Sequence, residues 1–170
     1  VNYDSPFNRK IHFDGGNHTI SNFSYDKSVN GGDYASFFGV LYGTCENVKF
    51  DNAKITSSSA CGVLGGYVGT SGKPALVENV HITNSSVSCS GNPAGGVAGT
   101  AREATFKNVS YQGSVNSTYA TSDKSATAGG FVGKTVGVNS FENCSANAVV
   151  TAKLKDVAGF VGLIEGDVTI

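Results

Sequence analysis

The chain has 170 residues and a formal charge of −1, with Asp, Glu, Lys and Arg at only 15%, against roughly 25% in ordinary soluble domains. No basic cluster offers nucleic acid an electrostatic footprint, and no apolar run reaches the ~18 residues of a membrane span, so neither nucleic acid nor membrane insertion is expected. With 23 Gly, 15 Asn, 33 Ser plus Thr, and no Met or Trp, the composition is poor helix material and predicts many short strands joined by tight turns.

Two signatures alternate along the chain. Ser21-Asn22-Phe23 reads as the first copy of one, followed by Glu46-Asn47-Val48, Glu78-Asn79-Val80, Lys107-Asn108-Val109 and Glu142-Asn143-Cys144. Between them come Ser36-Phe37-Phe38-Gly39, Gly66-Tyr67-Val68-Gly69, Gly96-Val97-Ala98-Gly99, Gly130-Phe131-Val132-Gly133 and Gly159-Phe160-Val161-Gly162. The closing glycines Gly39, Gly69, Gly99, Gly133 and Gly162 are 30, 30, 34 and 29 residues apart.

Apolar residues hold fixed places around each Asn. Two before it stand Ile20, Cys45, Val77, Phe106 and Phe141; one after it stand Phe23, Val48, Val80, Val109 and Cys144; three after it stand Tyr25, Phe50, Ile82, Tyr111 and Ala146. Alternation after the Asn is the pattern of a strand with one buried face. Positions −2 and +1 cannot share one side of a flat strand, so the Asn is predicted to sit at a bend. A unit of about 30 residues with two or three short strands cannot bury its own core, whereas stacked copies build a continuous one. The repeat is too short for a propeller blade and too poor in Leu for leucine-rich repeats. The expected fold is all-β: a right-handed parallel β-helix of about five to six coils, residues 1–170 forming one repeat domain of a larger protein.

These motifs resemble the GLUG repeats of bacterial surface proteins, which also occur near the N-termini of some bacterial immunoglobulin A metallopeptidases. Phe13-Asp14-Gly15-Gly16-Asn17-His18-Thr19-Ile20 resembles the coil that opens such arrays, so the likeness covers roughly residues 11–170. Phe37, Tyr67, Val97, Phe131 and Phe160 stand where the family usually has the Leu of its Gly-Leu start. No His-Glu-x-x-His is present, so the resemblance implies the repeat part of such proteins and not their zinc centre.

Glu46, Glu78, Lys107 and Glu142 share the place before the Asn and are expected to stack as an outward charge ladder; a cation or sugar site is the functional alternative to a solvated ladder. The series Asn22, Asn47, Asn79, Asn108 and Asn143 is expected to satisfy backbone groups at the bends. Asn17, Asn22, Asn84, Asn108, Asn116 and Asn143 also fall in glycosylation sequons. His12, His18 and His81 occupy no common repeat place, so no metal and no cofactor are expected.

Cys45 and Cys144 stand at inward places several coils apart and are expected to be free. Cys61 and Cys89 fall at nearly the same place in adjacent coils, which allows either a disulfide or two stacked apolar residues. Tyr34 and Tyr119, in the longer connecting segments, are candidate contact residues. The reading is a non-catalytic module of a secreted or cell-surface protein, stalk-like or adhesin-like, facing a protein or glycan ligand and its parent chain's other domains. A carbohydrate-binding or carbohydrate-cleaving β-helix is the alternative.

Overall fold

The computed structural model describes residues 10–27, 34–118, 126–153 and 156–170. Among them every regular element is a strand, and every pairing between named strands is parallel. The chain coils so that equivalent segments lie side by side, forming a parallel β-solenoid. Its long face carries Ile11–Ser21, Gly43–Asp51, Ala75–Cys89, Ala104–Ser117, Asn139–Glu142 and Val168–Thr169 in that order. A second face stacks Val40–Leu41, Gly65–Val68, Ala98–Arg102, Val132–Val136 and Val161–Glu165. The third holds only the two-residue strands Ala94–Gly95, Ala128–Gly129 and Val157–Ala158.

About four turns are formed, fewer than the five to six expected. The long face has six layers, but the third face has three, so the outermost layers do not close into complete coils.

Strand Ala75–Cys89 shows how one continuous strand wraps a core. Val77, Val80, Ile82, Ser85, Val87 and Cys89 are buried, which spaces the inward residues by two except across Glu78-Asn79 and Thr83-Asn84. Both Asn79 and Asn84 have left-handed backbone, at φ 53° and 52°. A single left-handed residue turns the strand and shifts its alternation by one, so both arms of the corner point side chains into the same interior. Asn is among the few residues that tolerate this conformation.

The register makes the interior a set of like-on-like stacks. Phe13, Cys45, Val77, Phe106 and Phe141 form one; Val48, Val80 and Val109 the next; Ile20, Phe50, Ile82, Tyr111 and Ala146 a third. Each chain end is filled by rings. Phe37 packs edge-on against Phe13, Phe23, Phe38 and Phe50, while Phe106 stacks parallel on Phe141 at 5.1 Å, with Phe131 and Phe160 beside them.

Two expected alignments are corrected by the pairing. Asn22 does not belong with Asn47: Ser21 pairs with Asp51, which sets Asn22 opposite Asn52 at the second corner. In the first layer Asp14 pairs with Glu46, and the Gly15–Asn17 bulge occupies the first corner. Likewise, Tyr67 pairs with Thr100 and Val40 with Tyr67, so the glycine that stacks between Gly39 and Gly99 is Gly66, not Gly69. The segment Gly66–Gly69 copies the motif in letters, but Val63-Leu64-Gly65-Gly66 holds its place. Of the stacking glycines, Gly66, Gly99, Gly133 and Gly162 are required by contact, and Gly39 by its left-handed φ of +71°. A Cβ on Gly133 would lie 2.6 Å from the Ala94 carbonyl oxygen and 2.8 Å from that of Gly99.

Amide side chains tie the first corners together. Asn143 Nδ2 donates to Asn108 Oδ1 at 3.2 Å, Asn108 to Asn79 at 2.8 Å, Asn79 to Asn47 at 3.0 Å, and Asn47 to Asp14 Oδ1 at 3.2 Å. The second corner has a shorter series, in which Asn52 Nδ2 donates to Asn22 Oδ1 at 2.7 Å and Asn84 Nδ2 to Asp51 Oδ1 at 2.8 Å. Tyr111 serves that corner in the following coil, its buried hydroxyl donating toward the carbonyls of Ser114 at 2.9 Å and Ser85 at 3.1 Å.

Two expected outcomes follow from this packing. Val80 is fully buried in its stack, so Val80→Asp buries an unpaired carboxylate at a cost of several kcal/mol, a large share of a typical ~5–15 kcal/mol stability. Loss of the cooperative thermal transition is expected, and an unchanged melting temperature contradicts the register. Asn79→Gly keeps the left-handed corner but removes the amide bonds above and below, for about 1–3 kcal/mol in all. Asn79→Ala adds backbone strain of about 1 kcal/mol or more. Denaturant titration is expected to rank wild type above Asn79→Gly and Asn79→Gly above Asn79→Ala; equal Gly and Ala variants would remove the strain argument.

Candidate functional site

The outer side of the long face carries the charged residues. Asp14 pairs with Glu46, Glu46 with Glu78, Glu78 with Lys107, and Lys107 with Glu142, so five ionisable groups stand one per layer beside the first corner. They alternate with the buried stack residues and therefore face outward. His12 Nε2 lies 3.5 Å from Glu46 Oε1, and Lys107 Nζ lies 3.5 Å from Glu142 Oε2. The Gly16 N–H and then the Asn47 amide hold the Asp14 carboxyl below its ordinary range. Glu46 and Glu78 stand on neighbouring layers, at a strand separation of ~4.8 Å.

Two residues back along these strands, the outward positions change character. Thr44 pairs with Leu76, and Leu76 with Thr105, so a hydroxyl, an isobutyl group and a hydroxyl succeed one another across three layers. Beside them the connection between coils forms a tight turn. Thr70 N–H donates to the Lys73 carbonyl at 3.0 Å, and Lys73 N–H returns the bond at 2.9 Å. Gly72 takes φ +69° at the tip, and its N–H donates to Glu103 Oε2 at 3.0 Å. Between this turn and the sheet lies a cleft of about 630 Å³ lined by Lys10, Tyr42, Thr44, Lys73, Leu76, Thr105 and Lys107, among others. The Lys73 ammonium sits 5.2 Å from the centroid of the Tyr42 ring, within cation–π range. Glu46, Glu78 and Glu142 do not line the cleft.

The remaining sequence candidates are scattered. Tyr34 does not project into solvent; it is half-buried, with its ring edge-on to Tyr67 at 4.8 Å. Tyr119 lies outside the described residues. His81 Nδ1 is 2.9 Å from Ser110 Oγ on the next layer, and among the described residues no group of three or more His, Cys, Asp or Glu could hold a metal ion. The three-lysine cleft was not anticipated. Its residues belong to four successive layers, and Lys73 sits in a turn that has no counterpart in the repeat among the described residues.

All four cysteines are free thiols. Cys45 is buried in the Phe13–Phe141 stack, and burial pushes its thiol up to about 12. Burial likewise raises Cys144. Cys61 pairs with Ala94, whereas Cys89 pairs with Ser57 and Ser117, so the two are not at equivalent places. Their side chains nonetheless meet inside: burial pushes the Cys61 thiol well up, and a hydrogen bond with the Cys89 side chain adds to this. Cys89 Sγ donates to the Ser59 carbonyl at 2.8 Å.

The chain is similar to a solved structure, that of a candidate immunoglobulin A1 protease from Bacteroides ovatus. The two are 36% identical with a TM-score of 0.76, over 94% of this chain and 49% of that one. The chain thus spans about half the length of that protein. No family model and no curated protein matches it, so the likeness to GLUG repeats rests on the motifs.

A scarce thiolate slows oxidation, because the thiolate is the reacting species. Unfolded without reductant and treated with a thiol reagent, the protein is expected to show four thiols per chain. A count of two would establish a Cys61–Cys89 bridge.

Proposed function

We propose that the chain is a non-catalytic repeat module of a secreted or cell-surface protein, a stalk whose side face meets a ligand. The observation that carries this reading is the division of labour in the coils. Inward residues form the stacks, corner amides bond layer to layer, and the outward ladder is one residue deep, without a nucleophile, acid and base converging among the described residues. Catalysis needs such groups held together around a reacting atom. The likeness to half of a candidate immunoglobulin A1 protease supports a place in a large extracellular protein. In that setting the module spaces or orients a partner domain, as solenoids do through their extended faces.

The alternative of a carbohydrate-cleaving β-helix has one observation in its favour. Glu46 and Glu78 lie on adjacent layers, near the ~5 Å separation of retaining glycosidase carboxylates. They stand on an open strand face and outside the cleft, where water is not excluded.

Incubation of the purified chain with immunoglobulin A1 and with a panel of neutral and acidic polysaccharides is expected to yield no cleavage products. Polysaccharide turnover that disappears in Glu78→Gln or Glu142→Gln would overturn the non-catalytic reading, and so would antibody cleavage by the chain.

A further inference from the structure

We propose that the cleft beneath the Thr70–Lys73 turn binds an acidic saccharide through a carboxylate-bearing sugar; this deepens the reading of the chain as a ligand-meeting module and rests on it. Three features define the ligand. The first is charge: Lys10, Lys73 and Lys107 line the cleft, and no Asp or Glu does so among the described residues. Lys107 also lies 3.5 Å from Glu142, and the Lys73 ammonium lies 5.2 Å from the Tyr42 ring centroid, so the cleft presents three ammoniums and, among the described residues, no carboxylate of its own. The second is the floor. Leu76 lies between Thr44 and Thr105 on adjacent layers, an apolar patch between two hydroxyls. A pyranose has the matching form, with C–H groups on its face and hydroxyls at its rim. A bare phosphate or sulfate leaves Leu76 unused.

The third feature is Tyr42, on the inner wall. It is 6% exposed, and its hydroxyl is buried with no hydrogen-bond partner among the described residues. A buried hydroxyl without a partner is costly; side chains commonly shift on binding, and a shift of the cleft wall would let a ligand hydroxyl pair with it. The cleft volume of about 630 Å³ lies within the ~300–1,000 Å³ of small-ligand sites and admits one or two sugar rings rather than a folded domain. Glu46 and Glu78 stand two residues along the strands that carry Thr44 and Leu76. They repel a carboxylate from that end and accept hydrogen bonds from sugar hydroxyls there. The sugar is therefore oriented with its carboxylate toward Lys10 and Lys73.

Calorimetric titration of the purified chain tests this, with a galacturonic acid oligomer and a sialic-acid-bearing oligosaccharide as probes. The matched neutral galactose oligomer, inorganic phosphate and a Glu-rich peptide serve as comparisons. At least one acidic sugar is expected to bind, with affinity falling as salt rises. Which of the two binds identifies the source of the carboxylate. The neutral oligomer is expected to bind at least about tenfold more weakly, the loss for one charge-assisted hydrogen bond. Lys10→Gln and Lys73→Gln are each expected to weaken binding about tenfold, with at most a small fall in melting temperature for Lys73→Gln, which gives up its contact with the Tyr42 ring. Tyr42→Phe is expected to weaken binding without destabilising the free protein, because it deletes a hydroxyl that has no partner there.

Equal binding of the neutral oligomer, binding of phosphate or the acidic peptide alone, no binding of any acidic sugar, or indifference to both lysine variants would overturn the proposal. Failure here without polysaccharide or antibody turnover leaves the module reading standing; turnover removes that reading whatever the cleft binds.

Discussion

The left-handed corner residue is the constraint on which the rest of this solenoid depends. A flat strand sends alternate side chains to opposite faces, so it cannot wrap an interior. One residue in the left-handed region turns the strand and advances the alternation by one, and both arms of the bend then face inward. For most residues that conformation costs roughly 1–2 kcal/mol, and Asn reduces the cost by bonding locally. Here the Asn side chain has a further role. With one layer above and one below, its amide donates to one neighbour and its carbonyl oxygen accepts from the other, as Asn79 does between Asn47 and Asn108. Side chain and backbone requirements therefore coincide at one residue type, and the ladder keeps adjacent coils in register.

Once the corners are in register, the interior follows. Each inward residue meets its own equivalent one layer away, so apolar character is conserved along a stack while size is free to vary. Val48, Val80 and Val109 repeat one shape, while Phe13, Cys45, Val77, Phe106 and Phe141 narrow in the middle of theirs and widen at both ends. Leu41 and Leu64 add bulk to the same core, and the phenylalanines gather toward both ends of the solenoid. Glycines at the second face do the reverse, admitting neighbouring backbone where any Cβ would collide, as at Gly133.

These rules explain which parts of the structure were legible in the sequence. The strand fold, the outward charge ladder and the inward places around Asn47, Asn79 and Asn108 are periodic, and periodicity survives in a single sequence. Asn22 was misplaced because both corners use Asn, and the letters Ser-Asn-Phe do not say which corner they form. The first layer hides its own corner by building it from Gly15, Gly16 and Asn17. Gly66–Gly69 was misread for a similar cause: a spaced pair of glycines recurs by chance in a chain with 23 of them, and only hydrogen-bonded register separates the true copy from the false one. The second amide series went unread because it is incomplete, with Tyr111 serving the corner after Asn84.

The cleft was illegible for a deeper reason. A perfect solenoid has equivalent outer positions in every coil, so it presents ridges and ladders but no singular concave place. A site arises where the repeat is broken. Here the break is the Thr70–Pro74 turn, which stands off the sheet and encloses outward residues that are ordinary surface elsewhere. Its shape depends on a left-handed Gly72 and on a bond to Glu103 from the next coil, so the wall is anchored by the layers it interrupts. The lysines that line the cleft come from three coils and share no motif. In a repeat protein, then, what recurs reports on stability, and what departs from recurrence is where a ligand-specific surface can be built. Among the described residues the Thr70–Pro74 turn is such a departure, whereas the Glu ladder follows the repeat and carries the more conspicuous charges.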